Sequence, residues 1–369
     1  MTVESTAAVA HAAHAPFAIE PIALDDPRGG EVLVRIAGVG LCHTDLVARD
    51  RLIPIPLPAV LGHEGAGIVE AVGPGVSKVR PGDRVVLAFA SCGHCASCDA
   101  DLPSYCRDFP ALNFAGTRPD GSSAIRQAGA PISGHFFGQS SFAAHAIAQE
   151  RNVVKVEDDD LPLDILGPLG CGLQTGAGGV MRSLACPPGS TIAIFGAGPV
   201  GLAAVMAARI QECGTIIVVE PMAQRRELAL SLGATHAIDP AKGNVSDAIR
   251  AILPDGVQFA FETSGREDVI ETALAALASH GLLGLVGVPP RADSTLAINL
   301  VAFITYGHRI QGIIEGDSDP DSFIPELIAH HRAGRFPFDR LVQRFPLSEI
   351  NAAVEAQARG ECVKAVLIP

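Results

Sequence analysis

Four of the nine cysteines in this 369-residue chain fall within SCGHCASCDADLPSYC, Ser91 to Cys106. Cys92, Cys95, Cys98 and Cys106 follow the spacing C-x2-C-x2-C-x7-C. One loop of that length folds around a tetrahedral four-thiolate zinc with Zn–S bonds of about 2.3 Å, and Gly93 helps it turn. An iron–sulfur cluster competes for the opening C-x2-C-x2-C, but ferredoxin-type sequences continue C-x3-C-P. Here the step is x7 with no proline after Cys106, so zinc is the first expectation, ahead of a cluster or free thiols. A closed four-cysteine site has no open coordination position; it staples a lobe (about 91–107) and leaves the chemistry elsewhere.

Three further residues carry ligand atoms: Cys42 in GVGLCHTDL, His63 in LGHEGAGIVEAVGPGV and Cys171 in GPLGCGLQTG. Cys42 and His63 stand twenty-one residues apart near glycine-rich turns. Taken singly, a cysteine packs as a small hydrophobe and a histidine as a satisfied core residue. A different chemistry is written in TIAIFGAGPVGLAAVMAARI, Thr191 to Ile210. Its length and apolarity suit a membrane span, but glycine and proline interrupt its middle. An apolar run, then Gly196-x-Gly198-x-x-Gly201, then an alanine-rich helical run reads as strand, phosphate-binding turn and helix. The next strand, TIIVVE, ends at Glu220, nineteen residues after Gly201, where a dinucleotide fold places a carboxylate on the adenosine ribose. That carboxylate repels a 2′-phosphate, and Pro221 and Met222 follow it rather than arginine, so NAD is expected over NADP.

These residues must be positioned by two kinds of element. Residues 1–172 hold short β-like runs (EVLVRIAGVG, GAGIVEAVG, DRVVLAF, NVVKV) punctuated by Gly and Pro, which predict an irregular barrel-like domain. Over 173–312 strand patterns (TIAIF, TIIVV, THAI, VQFAF, LLGLVGV, RIQGI) alternate with helical runs, predicting an α/β doubly wound parallel sheet of Rossmann type. Residues 313–369, with helices near 321–332 and 348–359, are expected to return to the first domain. No internal repeat or long linker interrupts this order.

Together the motifs resemble the zinc-dependent medium-chain alcohol dehydrogenases over essentially the whole chain. The signature GHE-x2-G-x5-G-x2-V stands at Gly62-His63-Glu64, Gly67, Gly73 and Val76, and the four-cysteine lobe and GxGxxG follow in the family's order. The resemblance implies a GroES-like first domain and a catalytic zinc on Cys42, His63 and Cys171, with Glu64 beside the metal and Asp45 orienting His63. It implies Thr44 as acceptor of the hydroxyl proton, Arg225 near the adenosine, Thr175 at the cofactor, and His43 and Lys364 where many relatives place arginines on the pyrophosphate. Many members also carry a proton-relay histidine five positions after the first ligand; here that position is Val47. The route by which the proton leaves stays open.

Aligned with that family, Ile53, Phe89, Phe136 and Phe137 fall on or beside the substrate channel. Fifteen phenylalanines against two tyrosines and no tryptophan make an aromatic but unpolar repertoire. CHTDLVARD, NFAG, HFFGQSSFA, GIIEGDSDPDSFIPELI and GRFPFD resemble the aryl-alcohol (benzyl-alcohol) branch most closely. The implied reaction is NAD-linked oxidation of a primary aromatic alcohol to the aldehyde, and its reverse. Allylic alcohols such as geraniol or cinnamyl alcohol share the apolar body and activated carbinol carbon. A catalytically silent NAD-binding relative is expected to lack a zinc ligand or the Thr44 hydroxyl, and neither is missing here.

The formal charge of −13 and a pI near 5.3 argue against a nucleic-acid or membrane surface, which wants clustered Lys and Arg. No basic or arginine-rich leader opens the sequence, so a cytoplasmic protein is expected. Thiols clustered in a reducing compartment bind metal more often than they pair. A mean hydropathy of +0.31 fits a large core plus a buried interface, and so a homo-oligomer, dimer or tetramer.

Overall fold

Strand Glu31–Gly40 has Val32, Leu33, Val34, Ile36 and Val39 buried, so both of its faces are covered. It takes the centre of a sheet for that reason. The computed structural model describes residues 2–157 and 160–369, and these divide into two units. The first comprises residues up to Cys171 together with Asp319–Glu326 and Asp339–Pro369; the second comprises Gly172–Ser318 and Leu327–Phe338.

The first unit carries two sheets. In the seven-stranded one the order is Val153–Lys155, Arg84–Leu87, Gly65–Val72, Glu31–Gly40, Lys364–Ile368 and Val342–Pro346, with His145–Gln149 also pairing on Glu31–Gly40. Two register shifts bend Glu31–Gly40 against Gly65–Val72, one between Leu33 and Val34 and one between Ile36 and Gly38. Such bulges curl a sheet. The five-stranded sheet (Ala59–Val60, Thr2–Ala10, Ala18–Asp25, Ile125–Gln127, Ala130–Pro131) joins it through an Ala7–Ala143 bridge. The curled, barrel-like architecture is the one expected.

In the second unit six parallel strands lie in the order His236–Ile238, Thr215–Val219, Thr191–Phe195, Val257–Glu262, Leu277–Leu285, Arg309–Gly312. Numbered along the chain this is 3-2-1-4-5-6, the dinucleotide-fold order. Its strands read as continuous apolar runs because helices cover both faces, and Phe195, Ile217, Val257 and Leu283 meet in the core. The order reverses between Thr191–Phe195 and Val257–Glu262, opening a crevice at their carboxyl ends. No described helix is long and apolar enough to cross a membrane, and Thr191–Ile210 forms the strand, turn and helix expected of it.

Two boundaries differ from the sequence reading. The second unit runs to Ser318 rather than 312, and residues 327–338 cluster with it. Side chains explain the first shift: Gln174 Nε2 donates to Glu315 at 3.2 Å, and Ser318 Oγ donates to Gln174 Oε1 at 3.4 Å. These bonds tie 315–318 back to helix Gly172–Gly178, where a Cβ on Gly178 would lie 2.4 Å from the Gly316 carbonyl.

Candidate active site and metal centres

Strand Glu31–Gly40 delivers Cys42 to the N-terminus of helix His43–Arg49, and Asp45 lies in the helix's first turn. One Asp45 oxygen accepts the Cys42 backbone N–H at 2.9 Å. Its other oxygen accepts the Gly62 N–H at 3.1 Å and faces His63 Nδ1 at 2.7 Å. Gly62 permits this approach, since at φ +88° a Cβ would sit 2.4 Å from the Phe142 backbone nitrogen. With Nδ1–H donated to Asp45, His63 turns Nε2 inward as a lone pair, buried and without a hydrogen-bond partner.

Ligand atoms of Cys42, His63, Glu64 and Cys171 lie within 4.8 Å of one another. Two soft sulfurs and an orphaned imidazole nitrogen suit zinc, and the donor set leaves room for an exchangeable ligand. The electrostatics favour a thiolate at Cys42. The Cys42 thiol is pulled well below its ordinary value by hydrogen bonding with Cys171, against burial and with help from His63. Burial alone would lower His63, but Asp45 and Cys42 raise it well above its usual range. Burial pushes Glu64 up, opposed by Lys364. Gly40 makes room for this carboxylate, because a Cβ there would meet Glu64 Oε2 at 1.9 Å.

Aromatic rings enclose the histidine. Phe137 stacks on His63 at 4.4 Å between centroids, and Phe136 meets it edge-on at 5.4 Å. Phe114 contacts both phenylalanines, and Phe109 links Phe137 to Phe89.

The second cysteine group closes as its spacing predicts. Cys92, Cys95, Cys98 and Cys106 present their sulfurs within 4.8 Å, with Cys95–Cys98 at 3.6 Å and Cys95–Cys106 at 4.0 Å. Backbone N–H groups point at them: Arg107 N to Cys95 Sγ at 3.5 Å, Cys92 N to Cys106 Sγ at 3.2 Å. The Arg107 amide, with Cys98, draws Cys95 down to about 6. Gly93 turns the loop at φ +77°. Donor type and geometry fit a structural zinc.

In the second unit Gly196 takes φ +99°, and a Cβ on Gly201 would lie 1.9 Å from the Gly196 carbonyl, so strand and helix approach as only glycine allows. Gly198 caps helix Pro199–Ile210 and lines a cleft of about 800 Å³ at that helix N-terminus. Glu220, Arg225, Asn244 and Thr263 line that cleft. Glu220 accepts the Ala197 N–H at 2.7 Å and the Met222 N–H at 2.9 Å, which fixes its carboxylate beside the turn.

The sequence matches the alcohol dehydrogenase GroES-like domain over residues 28–158 and the zinc-binding dehydrogenase domain over residues 199–330. Geraniol dehydrogenase of Castellaniella defragrans is 49% identical over 368 residues, covering 99% of this chain and 98% of that one. The chain belongs to the zinc-dependent medium-chain alcohol dehydrogenase family. Two solved structures resemble this alcohol dehydrogenase throughout. The alcohol dehydrogenase zinc-binding domain protein from Burkholderia ambifaria superposes with a TM-score of 0.97 at 52% identity, covering all of both chains. Benzyl alcohol dehydrogenase from Acinetobacter calcoaceticus does so with a TM-score of 0.96 at 40% identity, covering 99% of each. The cofactors of such a dehydrogenase are zinc and NAD(P).

Lys364, expected on the pyrophosphate, is buried, with its ammonium 2.5 Å from Glu64 Oε2 and donating to the Leu41 carbonyl at 3.0 Å. Strand Lys364–Ile368 runs in the middle of its sheet, and a lysine buried there needs a carboxylate at once. Thr175 is also largely buried, its hydroxyl 3.5 Å from Glu315. His43 is exposed on the first unit, Ile53 is half-buried after helix His43–Arg49, and Val47 is buried on that helix. Thr44 Oγ1 lies 3.7 Å from Cys42 Sγ.

Gln139 was missed by sequence reasoning. It accepts from Gly65 N at 3.0 Å and Ser141 Oγ at 2.9 Å, and donates to the carbonyls of His63 at 2.9 Å and Ala88 at 3.2 Å. Two of these four bonds clamp the backbone either side of Glu64. Phe109 and Phe114 were likewise unassigned.

Proposed function

We propose that this dehydrogenase oxidises apolar primary alcohols of benzyl type to their aldehydes with NAD, and catalyses the reverse reduction. The reading rests on the group of phenylalanines in which Phe136 and Phe137 pack on ligand His63 and Phe109, Phe114 and Phe89 pack outward from them. An aromatic or π-activated alcohol suits such surroundings, whereas a polyol would leave hydroxyls unpaired. Allylic terpenoid alcohols are a second reading, favoured by the 49% identity with the geraniol enzyme.

Zinc on Cys42, His63 and Cys171 supplies Lewis acidity toward the alcohol oxygen, and the dinucleotide supplies the hydride acceptor. The chain's own residues do the rest. Asp45 fixes the His63 ring, and Thr44 takes the hydroxyl proton. Val47 cannot relay that proton, so it leaves by water and ribose, by another base or along the substrate channel. Gly196, Gly198 and Gly201 receive the pyrophosphate, Glu220 the adenosine ribose and Arg225 the adenosine side, with Thr175 and His43 toward the rest of the dinucleotide. A second zinc is assigned to Cys92, Cys95, Cys98 and Cys106. A cytoplasmic homo-oligomer completes the reading.

Steady-state rates with NAD test it. Burial of apolar surface is worth about 25 cal/mol per Å², so benzyl alcohol, cinnamyl alcohol and geraniol should exceed ethanol in kcat/KM by orders of magnitude. Preference for sorbitol or S-hydroxymethylglutathione overturns the substrate class. Higher activity with NADP than with NAD overturns the role of Glu220.

A further inference from the structure

Three cysteines remain outside the two metal centres, and two of them meet. Cys186 lies in the turn before strand Thr191–Phe195, and Cys213 in the turn after helix Pro199–Ile210. The segments carrying them lie side by side: Ser190 Oγ, four residues after Cys186, lies 3.4 Å from Cys213 Sγ, and Gln211, two residues before Cys213, bonds to the Cys186 carbonyl. Cys186 is fully buried, whereas Cys213 is part exposed.

The backbone holds these turns together firmly. Gly189 N–H donates to the Glu212 carbonyl and Gly214 N–H to the Ser190 carbonyl, each at 2.8 Å, and Gln211 Nε2 reaches the Cys186 carbonyl at 3.3 Å. Each cysteine directly follows a non-glycine residue in the left-handed region, Ala185 at φ +46° and Glu212 at φ +56°. Such conformations persist only where the surroundings over-determine them, so the two cysteines are held in neighbouring turns by a fixed frame.

We propose that Cys186 and Cys213 are a hydroperoxide-oxidisable dithiol, with Cys213 as the attacking and Cys186 as the resolving sulfur. The Cys213 thiolate attacks one peroxide oxygen, the O–O bond breaks and Cys213 becomes a sulfenic acid; the departing hydroxide takes a proton and leaves as water. Cys186 then attacks the Cys213 sulfur, its own proton goes to the departing hydroxide and a second water leaves. Two thiols and one hydroperoxide give one disulfide and two hydroxylic products, water and water for hydrogen peroxide itself.

The roles follow from the surroundings. Hydrogen bonding from Cys186, opposed by burial and helped by Ser190, draws Cys213 down to about 7, so a good part of it is thiolate near neutrality. The same partner, together with burial, pushes Cys186 up and keeps it a thiol until a sulfenic acid appears beside it. The bond would close a loop from 186 to 213 around the strand, glycine turn and helix that receive the dinucleotide.

The test treats the intact, metal-loaded enzyme with hydrogen peroxide, blocks remaining thiols with iodoacetamide and maps unreduced peptides by mass spectrometry. A Cys186–Cys213 cross-link reversed by dithiothreitol is expected, with denatured, chelated protein falling from nine titratable thiols to seven and zinc content unchanged before denaturation. In Cys186→Ala, dimedone should trap a sulfenic acid at Cys213. Absence of the cross-link overturns the proposal, whether because zinc is released from its own cysteines, because Cys213 runs on to sulfinate with Cys186 alkylated, or because neither thiol reacts. Failure of dimedone to label Cys213 in a wild type that does cross-link overturns the assignment of the attacking sulfur.

Discussion

Asp45 accepts three N–H bonds, and through them a single carboxylate fixes the backbone at Cys42, the backbone just before His63 and the ring of His63. Its replacement by Asn exchanges an acceptor oxygen for a donor, so at least one of the three bonds is lost. Zinc affinity should fall about 10–100-fold, read by competition with a chelator. Cys42→Ser should lose turnover and one zinc while remaining folded, whereas Cys95→Ser should chiefly lower the unfolding temperature. Equal stability of the two variants, with only Cys95→Ser inactive, would reverse the roles of the two centres. Thr44→Val should be severely impaired in single-turnover hydride transfer at every pH. Val47→His should gain most at low pH, where removing the hydroxyl proton is hardest; a profile superimposable on wild type would show that proton exit needs no relay. Such residues were legible because their chemistry is local to a motif. Lys364 was not, since its carboxylate partner lies three hundred residues earlier and only the sheet brings them together.

At the scale of elements, the turn His135–Phe137 carries two of the rings against His63 and does so in strained backbone, with His135 at φ +57° and Phe137 at φ +51°. Burial, reinforced by Arg118, holds His135 down to about 4, well under its ordinary 6.5. The unfolded chain therefore takes up a proton first as pH falls. The stability contributed by a neutral His135 is complete above about pH 6.5 and is lost between there and about pH 4, on the order of 3 kcal/mol in all. Asn tolerates the left-handed region, so His135→Asn should fold and flatten this slope. Urea unfolding at pH 5 and pH 7.5 measures it; equal slopes in both proteins would remove His135 from the account. The strands and the dinucleotide turn were readable from apolar runs and glycine spacing, because those patterns are set by the element itself. Gln139, Phe109 and Phe114 were not readable: their partners are backbone carbonyls and rings far along the chain, and nothing in NFAG or HFFGQSSFA states them. The boundary expected at 312 fell short of Ser318 for the same reason, since the extension rests on side-chain bonds to Gln174.

For the whole molecule, the short helix Leu300–Tyr306 leaves Leu300, Val301 and Ile304 at 68%, 77% and 77% exposed, next in sequence to edge strand Arg309–Gly312. An apolar face beside an open sheet edge favours self-association. Ile304→Asp should shift the sedimenting species to a smaller one with the fold intact by circular dichroism; an unchanged species would move any interface elsewhere. The position of strand Lys364–Ile368 has a further consequence, for the order of events during synthesis. It lies between Glu31–Gly40 and Val342–Pro346, so the seven-stranded sheet has a gap in its middle until residue 368 has left the ribosome. By then residues 172–338, the whole second unit, have already emerged. The dinucleotide-binding half is thus free to fold while the zinc-binding half still waits for its last strand, and a chaperone or protease sampling the nascent chain meets the unpaired edge at the Val39–Gly40 end of the central strand throughout that interval.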